Sequence, residues 1–150
     1  MSGLPASPRS GNALSIGGLA RLTGVKVPTI RYYEQIGLMP SVPRTASNRR
    51  LYGSADVRRL AFIRHGRDLG FDIEEIRQLI ALAGEPGQPC AGADAIARRH
   101  LVDIDAKIAR LTAMRREIAR MVEDGAHGAI ATCRVIEVLA DHDQCLHEHH

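Results

Sequence analysis

The feature that most constrains the fold is one apolar stripe along about 30 residues, 93–123. Large aliphatic side chains recur there at alternating steps of three and four residues, with charged residues on the flanks. The stripe comprises Leu101, Ile104, Ile108, Leu111, Ile118 and Val122, with a break at Arg115. This heptad spacing predicts a helix of about 45 Å, longer than a domain of roughly 70 residues is wide. We therefore expect it to pair with a second copy of the chain, and packing back on its own domain is the alternative.

Two short helices joined by a glycine turn are predicted ahead of this run. Ser15 can cap the first, residues 16–23, which Gly24 ends. The second, residues 27–37, carries Pro28 in its first turn, where a missing N–H is tolerated. Two short helices with such a turn predict a helix-turn-helix.

The residues that follow divide at turns and caps. Residues 38–52 contain two prolines and three arginines and lack helical periodicity, so a short hairpin or wing is predicted. A third helix of about 55–68, capped by Ser54, and a fourth over 72–84, opened by an Asp-x-x-Glu capping box, are expected next.

Charge is distributed unevenly along the 150 residues, whose formal net charge is +3. Residues 1–70 hold eleven Lys/Arg against three Asp/Glu, a balance of +8, whereas residues 71–150 hold nine against fourteen, a balance of −5. A basic half joined to an acidic half is typical of a nucleic-acid-binding module attached to a second function, with chance asymmetry as the alternative.

Composition excludes several other classes. Aromatic residues make up 3% of the chain and tryptophan is absent, so an aliphatic core is expected, which favours helices. No apolar run approaches the length of a membrane span, and the first residues lack the apolar core of a signal peptide, so a cytoplasmic location is expected. The sequence carries no phosphate-binding glycine loop, zinc-protease motif or nucleophile elbow, and an enzyme is not expected.

Three segments resemble the MerR family of transcription regulators: IGGLARLTGVKVPTIRYYEQIGLMP, NRRLY and DVRRLAFIRHGRDLGFDIEEIRQLIAL. The string TIRYYE after TGV, together with the arginine pair and the LGF turn, carries the resemblance, which covers about residues 15–124. It implies a winged helix-turn-helix and a homodimer held by a long antiparallel coiled coil. It further implies an effector site beside that coil, and a dimer that activates by bending and untwisting double-stranded promoter DNA for RNA polymerase.

The predicted organisation is mainly α-helical. It consists of a disordered arm (1–13), a winged helix-turn-helix DNA-binding domain (14–84), a linker (85–92), a dimerisation helix (93–124) and an effector-binding loop and tail (125–150). The last segment holds a loop up to residue 132 and a short helix over 133–140.

The expected DNA contacts lie on the second helix and the wing. Helix positions Lys26, Thr29 and Arg31 occupy the early turns of a recognition helix, where Arg31 is the candidate for a guanine or phosphate contact. The wing cluster is expected to contact phosphates and to supply salt-dependent affinity. The full set of candidates is Lys26, Thr29, Arg31, Tyr32, Tyr33, Arg44, Asn48, Arg49 and Tyr52. Since Tyr32 and Tyr33 are adjacent, one of them is expected to pack inward.

The chain has three cysteines, Cys90, Cys133 and Cys145. An odd number in a reducing compartment points to thiol chemistry or a metal, and small buried hydrophobic residues are the alternative. The metal-sensing branch of the family places ligands at the start of the dimerisation helix and in the loop and short helix after it. The resemblance therefore implies thiolate ligation of a soft divalent ion (Zn, Cd, Pb or Hg) by these three residues.

The predicted rod puts Cys90 and Cys133 at opposite ends of about 45 Å, so one chain cannot bring them to one ion. In an antiparallel dimer, Cys90 of one subunit would meet Cys133 of the other. The chain departs from copper and zinc sensors at Gly125, where those carry another cysteine. Cys145 or a histidine such as His127 replaces that ligand, or the site is weaker, or the effector is not a metal.

Two other functions remain open at this point. One is a thiol-based sensor of electrophiles or oxidants on the same DNA-binding scaffold, acting through one reactive cysteine. The other is a DNA-bending protein without an effector, in which the cysteines have no role.

Overall fold

The computed structural model describes residues 13–42, 44, 46–47, 50–124 and 128–141. Within these residues lie α1 (Ile16–Thr23), α2 (Val27–Gln35), α3 (Ser54–Asp68), α4 (Ile73–Ala83), α5 (Ala91–Glu123) and α6 (Arg134–Ala140), with a 3-10 turn at Ile130–Thr132. The chain divides into two compact units, one up to Ala93 and one from Asp94. Most of the predicted arm, the loop residues 125–127 and the tail after residue 141 lie outside the described residues.

The predicted helix-turn-helix is present. The Ser15 hydroxyl accepts a hydrogen bond of 3.1 Å from the Gly18 N–H and so caps α1. Gly24 ends α1 in the left-handed conformation, with φ of 72° and its N–H donated to the Ala20 carbonyl. Helix α2 then begins with a proline in its first turn and ends at Gln35, two residues earlier than predicted.

The starts of α3 and α4 test two predicted caps. Ser54 was expected to cap α3, but it is the first helical residue, and Gly53 occupies the cap position. The Gly53 N–H donates to the Asp56 carboxylate at 2.8 Å, so the side chain within the first turn closes this helix end. The capping box of α4 is confirmed, because Asp72 and Glu75 each accept from the other's N–H, at 2.7 and 3.0 Å.

The first unit has an aliphatic core that joins α1 to α4. Its fully buried large side chains are Leu19, Ile30, Leu38, Met39, Tyr52, Leu60, Ile63 and Ile76. Burial of each aliphatic side chain contributes about 1.5–3 kcal/mol. The described part of the wing forms two isolated antiparallel bridges, Leu14 with Tyr52 and Arg44 with Arg50, rather than longer strands.

The second unit is dominated by α5, whose 33 residues correspond to about 50 Å. The helix begins at Ala91, two residues earlier than predicted. More than half of the residue's surface is exposed at five positions of the predicted stripe: Leu101, Ile108, Leu111, Ile118 and Val122. Such a row of exposed aliphatic side chains is typical of an unpartnered interface. Among the described residues, no helix combines the length and apolarity needed to cross a membrane.

Candidate nucleic-acid interface and thiol sites

Helix α2 exposes one face and buries the other. Ile30 and Tyr33 point into the core. The exposed positions recur at the i, i+3, i+4, i+7 spacing of one helix face, and they are Pro28, Arg31, Tyr32 and Gln35. This face presents a guanidinium, a phenol and an amide, which are groups that bind base edges and phosphates.

Residues predicted on α2 divide between this face and the core. Arg31 and Tyr32 are exposed, Lys26 is the exposed N-cap residue, and Thr29 is half-buried. Tyr33 is 7% exposed and packs into the core, whereas Tyr32 is exposed, so the adjacent tyrosines separate as their spacing predicted, and a DNA contact by Tyr33 stays a prediction. Gln35 also lies on the exposed face but was not among the predicted contacts, although its position one turn after Arg31 and Tyr32 places it there.

The wing candidates divide in the same way. Arg44 is exposed and lies opposite Arg50 in the antiparallel bridge. Asn48 and Arg49 lie outside the described residues. Tyr52 is fully buried, and its backbone pairs with Leu14 through hydrogen bonds of 2.8 and 2.9 Å. Its assignment to the DNA-contacting surface is therefore wrong, because the side chain lies in the core.

A buried carboxylate that the sequence reasoning missed connects α2 to the end of the wing. The Glu34 side chain is 5% exposed. Its Oε2 accepts a hydrogen bond of 2.8 Å from the Arg50 guanidinium, and its Oε1 accepts one of 2.6 Å from the Tyr52 hydroxyl. The sequence did hold one indication of this role, because Glu34 is the only acidic residue among positions 1–55.

These contacts change the acidity of the Tyr52 hydroxyl. Burial raises its pKa from 10.0 to about 12, and the hydrogen bond to Glu34 and that residue's negative charge act in the same direction. The Arg50 charge opposes them without cancelling them. The phenol therefore stays protonated and remains a hydrogen-bond donor throughout the neutral range.

Arg59 and Arg64 of the basic half, together with Arg77 just beyond it, hold the backbone of the helix-turn-helix. Arg59 donates to the Leu38 carbonyl at 2.9 Å, and Arg77 donates to the Ile36 carbonyl at 2.9 Å. Side chains of α3 and α4 are therefore both hydrogen-bonded to the turn that follows α2. Arg64 donates to the carbonyl of Thr23 at the end of α1. A fraction of the +8 charge thus stabilises the fold as well as contributing to the electrostatic field.

Two of the predicted thiols are described. Cys90 is exposed and directly precedes α5, and it borders an open apolar cleft of about 380 Å³ lined by Phe62, Leu79, Leu82 and Pro86. Cys133 is half-buried and is the N-cap residue of α6. Cys145, Gly125 and His127 lie outside the described residues.

The donor chemistry of these positions suits soft cations. Among residues 13–42, 44, 46–47, 50–124 and 128–141, no group of three or more His, Cys, Asp or Glu side chains gathers to hold a metal. The two described thiols would bind soft cations such as Zn²⁺, Cd²⁺, Pb²⁺ or Hg²⁺ in preference to Mg²⁺ or Ca²⁺.

Comparison with known proteins identifies the family. Residues 14–82 match the model of the MerR HTH family regulatory protein, and residues 57–121 match the model described as MerR, DNA binding. The HTH-type transcriptional regulator HmrR of Sinorhizobium medicae is 38% identical over 127 residues, which cover 85% of this chain and 86% of the relative. The chain belongs to the MerR family.

Other MerR-family relatives cover the same extent. The heavy metal-dependent transcription regulator 2 of Rhizobium meliloti is 36% identical over 128 residues, 85% of this chain and 87% of the relative. The crystal structure of the transcription regulator PbrR691 from Ralstonia metallidurans, in complex with lead(II), superposes with a TM-score of 0.72. That pair is 31% identical and covers 84% of this chain and 98% of the other. The winged helix-turn-helix followed by a long helix is therefore the MerR-family architecture.

Proposed function

We propose that this MerR-family chain is a homodimeric transcription regulator that binds double-stranded promoter DNA and responds to a soft divalent metal through cysteine thiolates. The exposed face of α2, with Arg31 at its centre, is the observation that carries the DNA-binding part. The relative named as heavy metal-dependent and the lead(II) complex support a metal effector. Zn, Cd, Pb and Hg are the candidate ions.

The DNA-binding surface consists of the α2 face and the wing. A recognition helix reads base edges in the major groove, and a bidentate arginine contact to guanine contributes about 1–3 kcal/mol of discrimination. Arg31 is placed for such a contact because it is exposed in the middle of this face. Arg44 on the wing is placed for a phosphate, which would add salt-dependent affinity with little sequence preference.

Binding to a DNA duplex tests this surface. The duplex is selected by the wild-type protein from a random-sequence pool, and affinity is measured by fluorescence anisotropy over a KCl series. Arg31→Ala is expected to weaken binding to the selected duplex by about 1–3 kcal/mol and to relax its sequence preference. Arg44→Ala is expected to weaken all duplexes similarly and to make the salt slope smaller by about 1.

Arg98→Ala is the matched control, since Arg98 is exposed on α5 in the second unit. It is expected to bind as the wild type does. Unchanged affinity in both the Arg31 and the Arg44 variant would refute the assignment of α2 and the wing.

The homodimer is proposed from the exposed stripe of α5. Five large aliphatic side chains, spread over about 32 Å of the helix between Leu101 and Val122, remain in contact with solvent in the single chain, and a second copy offers the same heptad spacing. In a two-fold pair each stripe would cover the other. RNA polymerase as a further partner follows from the proposed role in promoter activation.

The metal site is proposed at the two ends of this helix. Cys90 directly precedes α5 and Cys133 follows it, so the helix length keeps the two thiols of one chain from reaching the same ion. An antiparallel pair would bring Cys90 of one subunit toward Cys133 of the other. Cys145 is proposed as a third ligand. Metal–thiolate bonds there would tie the two subunits together and favour one arrangement of the dimer.

Cadmium binding, followed through the ultraviolet absorbance of Cd–thiolate bonds, tests the site without DNA. Homodimers of Cys90→Ser and of Cys133→Ser are each expected to lose this absorbance and the metal response while keeping DNA affinity. A heterodimer with Cys90→Ser on one chain and Cys133→Ser on the other is expected to keep one complete site. Loss of all absorbance in that heterodimer would show that both ligands come from one chain.

The same experiment separates the two other functions. A protein that binds no Cd²⁺, yet loses promoter activation after alkylation of its thiols, would be a thiol-based sensor. A protein whose DNA distortion responds to neither treatment would be a DNA-bending protein without an effector. Cys145→Ser with undiminished Cd²⁺ affinity would remove the third ligand from the proposal.

A further inference from the structure

The described part of the wing has little regular structure of its own. It is tied down by two isolated backbone bridges, one between Arg44 and Arg50 and one between Leu14 and Tyr52. A lone two-stranded ribbon of this kind is marginally stable in water. The orientation of the wing therefore depends on side-chain contacts to the helices beneath it.

Side chains from the end of the wing converge on one residue of the recognition helix. Arg50 and Tyr52, two positions apart, both donate to the Glu34 carboxylate, at 2.8 and 2.6 Å. Glu34 lies on α2 directly after Tyr33 and one turn after Arg31, at the edge between the buried and the exposed face. Each carboxylate oxygen has its own donor, so the buried charge is paired and hydrogen-bonded.

We infer that Glu34, Arg50 and Tyr52 are positioning residues that fix the wing relative to the exposed face of α2. This inference rests on the proposed DNA-binding function and deepens it. Through the bridge between Arg50 and Arg44, the contact to Glu34 also determines where the Arg44 side chain is presented. Arg50 acts through Glu34 in this arrangement, whereas Arg44 meets the DNA.

The inference opposes what simple electrostatics predicts. Glu34 is a negative charge on the recognition helix, so its neutralisation should strengthen binding to the phosphate backbone if only charge mattered. If it positions the wing, Glu34→Gln weakens binding instead. The glutamine amide group can accept from Tyr52, but its NH₂ would then face the Arg50 donors and release them.

Glu34→Gln is tested in the anisotropy assay with the selected duplex and a KCl series. We expect binding to be about fivefold to tenfold weaker, with a salt slope smaller by about 0.9 for each phosphate contact the wing loses. Glu85→Gln is the matched control, because Glu85 is exposed just after α4 and the chemical change is the same. It is expected to bind as tightly as the wild type, or slightly more tightly.

A double-mutant cycle separates positioning from direct contact. If Arg50 acts through Glu34, replacing Arg50 costs no further affinity once Glu34 has been replaced. The double variant Glu34→Gln, Arg50→Gln then binds DNA as tightly as whichever single variant has the lower affinity. If Arg50 instead contacts a phosphate by itself, the two losses multiply, and the inference is overturned.

Folding and the proposed function are controlled separately. Urea unfolding is measured for each variant. If Glu34→Gln does not fold, Tyr52→Phe is used in its place, because it keeps the ring and removes one donor to Glu34. We expect Tyr52→Phe to lower affinity and the salt slope by a smaller amount in the same direction. Unchanged binding in both Arg31→Ala and Arg44→Ala would overturn the proposed DNA-binding surface. Arg31→Ala with weakened binding, beside Glu34→Gln or Tyr52→Phe with wild-type affinity and slope, would overturn this inference alone.

Discussion

Gly24 in the turn of the helix-turn-helix offers a perturbation whose size follows from local geometry. Its φ of 72° lies in the left-handed region, which costs an L-residue about 1–2 kcal/mol. A Cβ added there would also collide with the guanidinium of Arg64, lying 2.8 Å from its Cζ. Arg64 would have to leave the Thr23 carbonyl, to which it donates a hydrogen bond.

These two contributions give the expected cost of Gly24→Ala. A hydrogen bond from a charged donor contributes about 1.5–3 kcal/mol, and the lower end applies because the Arg64 side chain is 49% exposed. Backbone strain adds about 1–2 kcal/mol, so the free energy of unfolding should fall by roughly 2.5–3.5 kcal/mol. Gly37→Ala is the matched control: its φ of 76° is similar, but its Cβ would lie 3.8 Å from the nearest side-chain atom, Arg77 Nη1, which is an ordinary van der Waals contact.

Urea unfolding at a fixed protein concentration measures both variants, because the stability of a dimer depends on concentration. Gly37→Ala is expected to lose about 1–2 kcal/mol, the strain alone. In an Arg64→Ala background, the cost of Gly24→Ala should fall to that of Gly37→Ala. Equal costs for the two glycine variants in the wild-type background would refute the reasoning, since the guanidinium would then contribute nothing.

Three further predictions concern assembly, pH and capping. Ile108→Asp would bury a charge in the proposed dimer interface along the α5 stripe and should give monomers in sedimentation velocity. Ala106→Asp, on the opposite side of α5, should stay dimeric. A monomeric wild type at micromolar concentration would refute this interface. Because the pKa of Tyr52 is raised to about 12, its protonated hydroxyl contributes about 2–3 kcal/mol to the free energy of unfolding. This contribution is complete below pH 10 and is lost as the pH rises through 12. Alkaline unfolding of Tyr52→Phe should lack this loss, and an unchanged pH profile would contradict the buried hydroxyl. Asp72→Ala should lower the free energy of unfolding by about 1 kcal/mol in urea, and no change would mean that this cap contributes nothing.

The helices could be predicted because their signals are local. The Ser15 cap, the Gly24 end and the Asp72–Glu75 capping box each involve residues within one or two helical turns, and all three are present. The α3 cap, which was predicted one residue too late, also depends on a local contact. Gly53 has no side chain to offer, yet Asp56 supplies the hydrogen bond from inside the helix, so the cap moved by one residue.

The functional surface could be predicted only in part. Arg31 and Tyr32 lie on the exposed face of α2, where the spacing put them, whereas Tyr33 and Tyr52 are core residues. A polar or aromatic residue in a basic segment suits a DNA contact and a buried hydrogen bond equally well. Its partner decides between them, and the partner of Tyr52 is Glu34, 18 positions away along the chain.

The sequence by itself determined the helices, the family and the heptad stripe, because caps, turns and periodicity act over a few residues. The tertiary structure alone decided which charged groups stabilise the fold. Arg50 pairs with Glu34 across 16 positions, and Arg64 and Arg77 each reach a carbonyl 41 positions away. Such pairs depend on how the helices pack around the core, and no local pattern encodes the direction in which a guanidinium points.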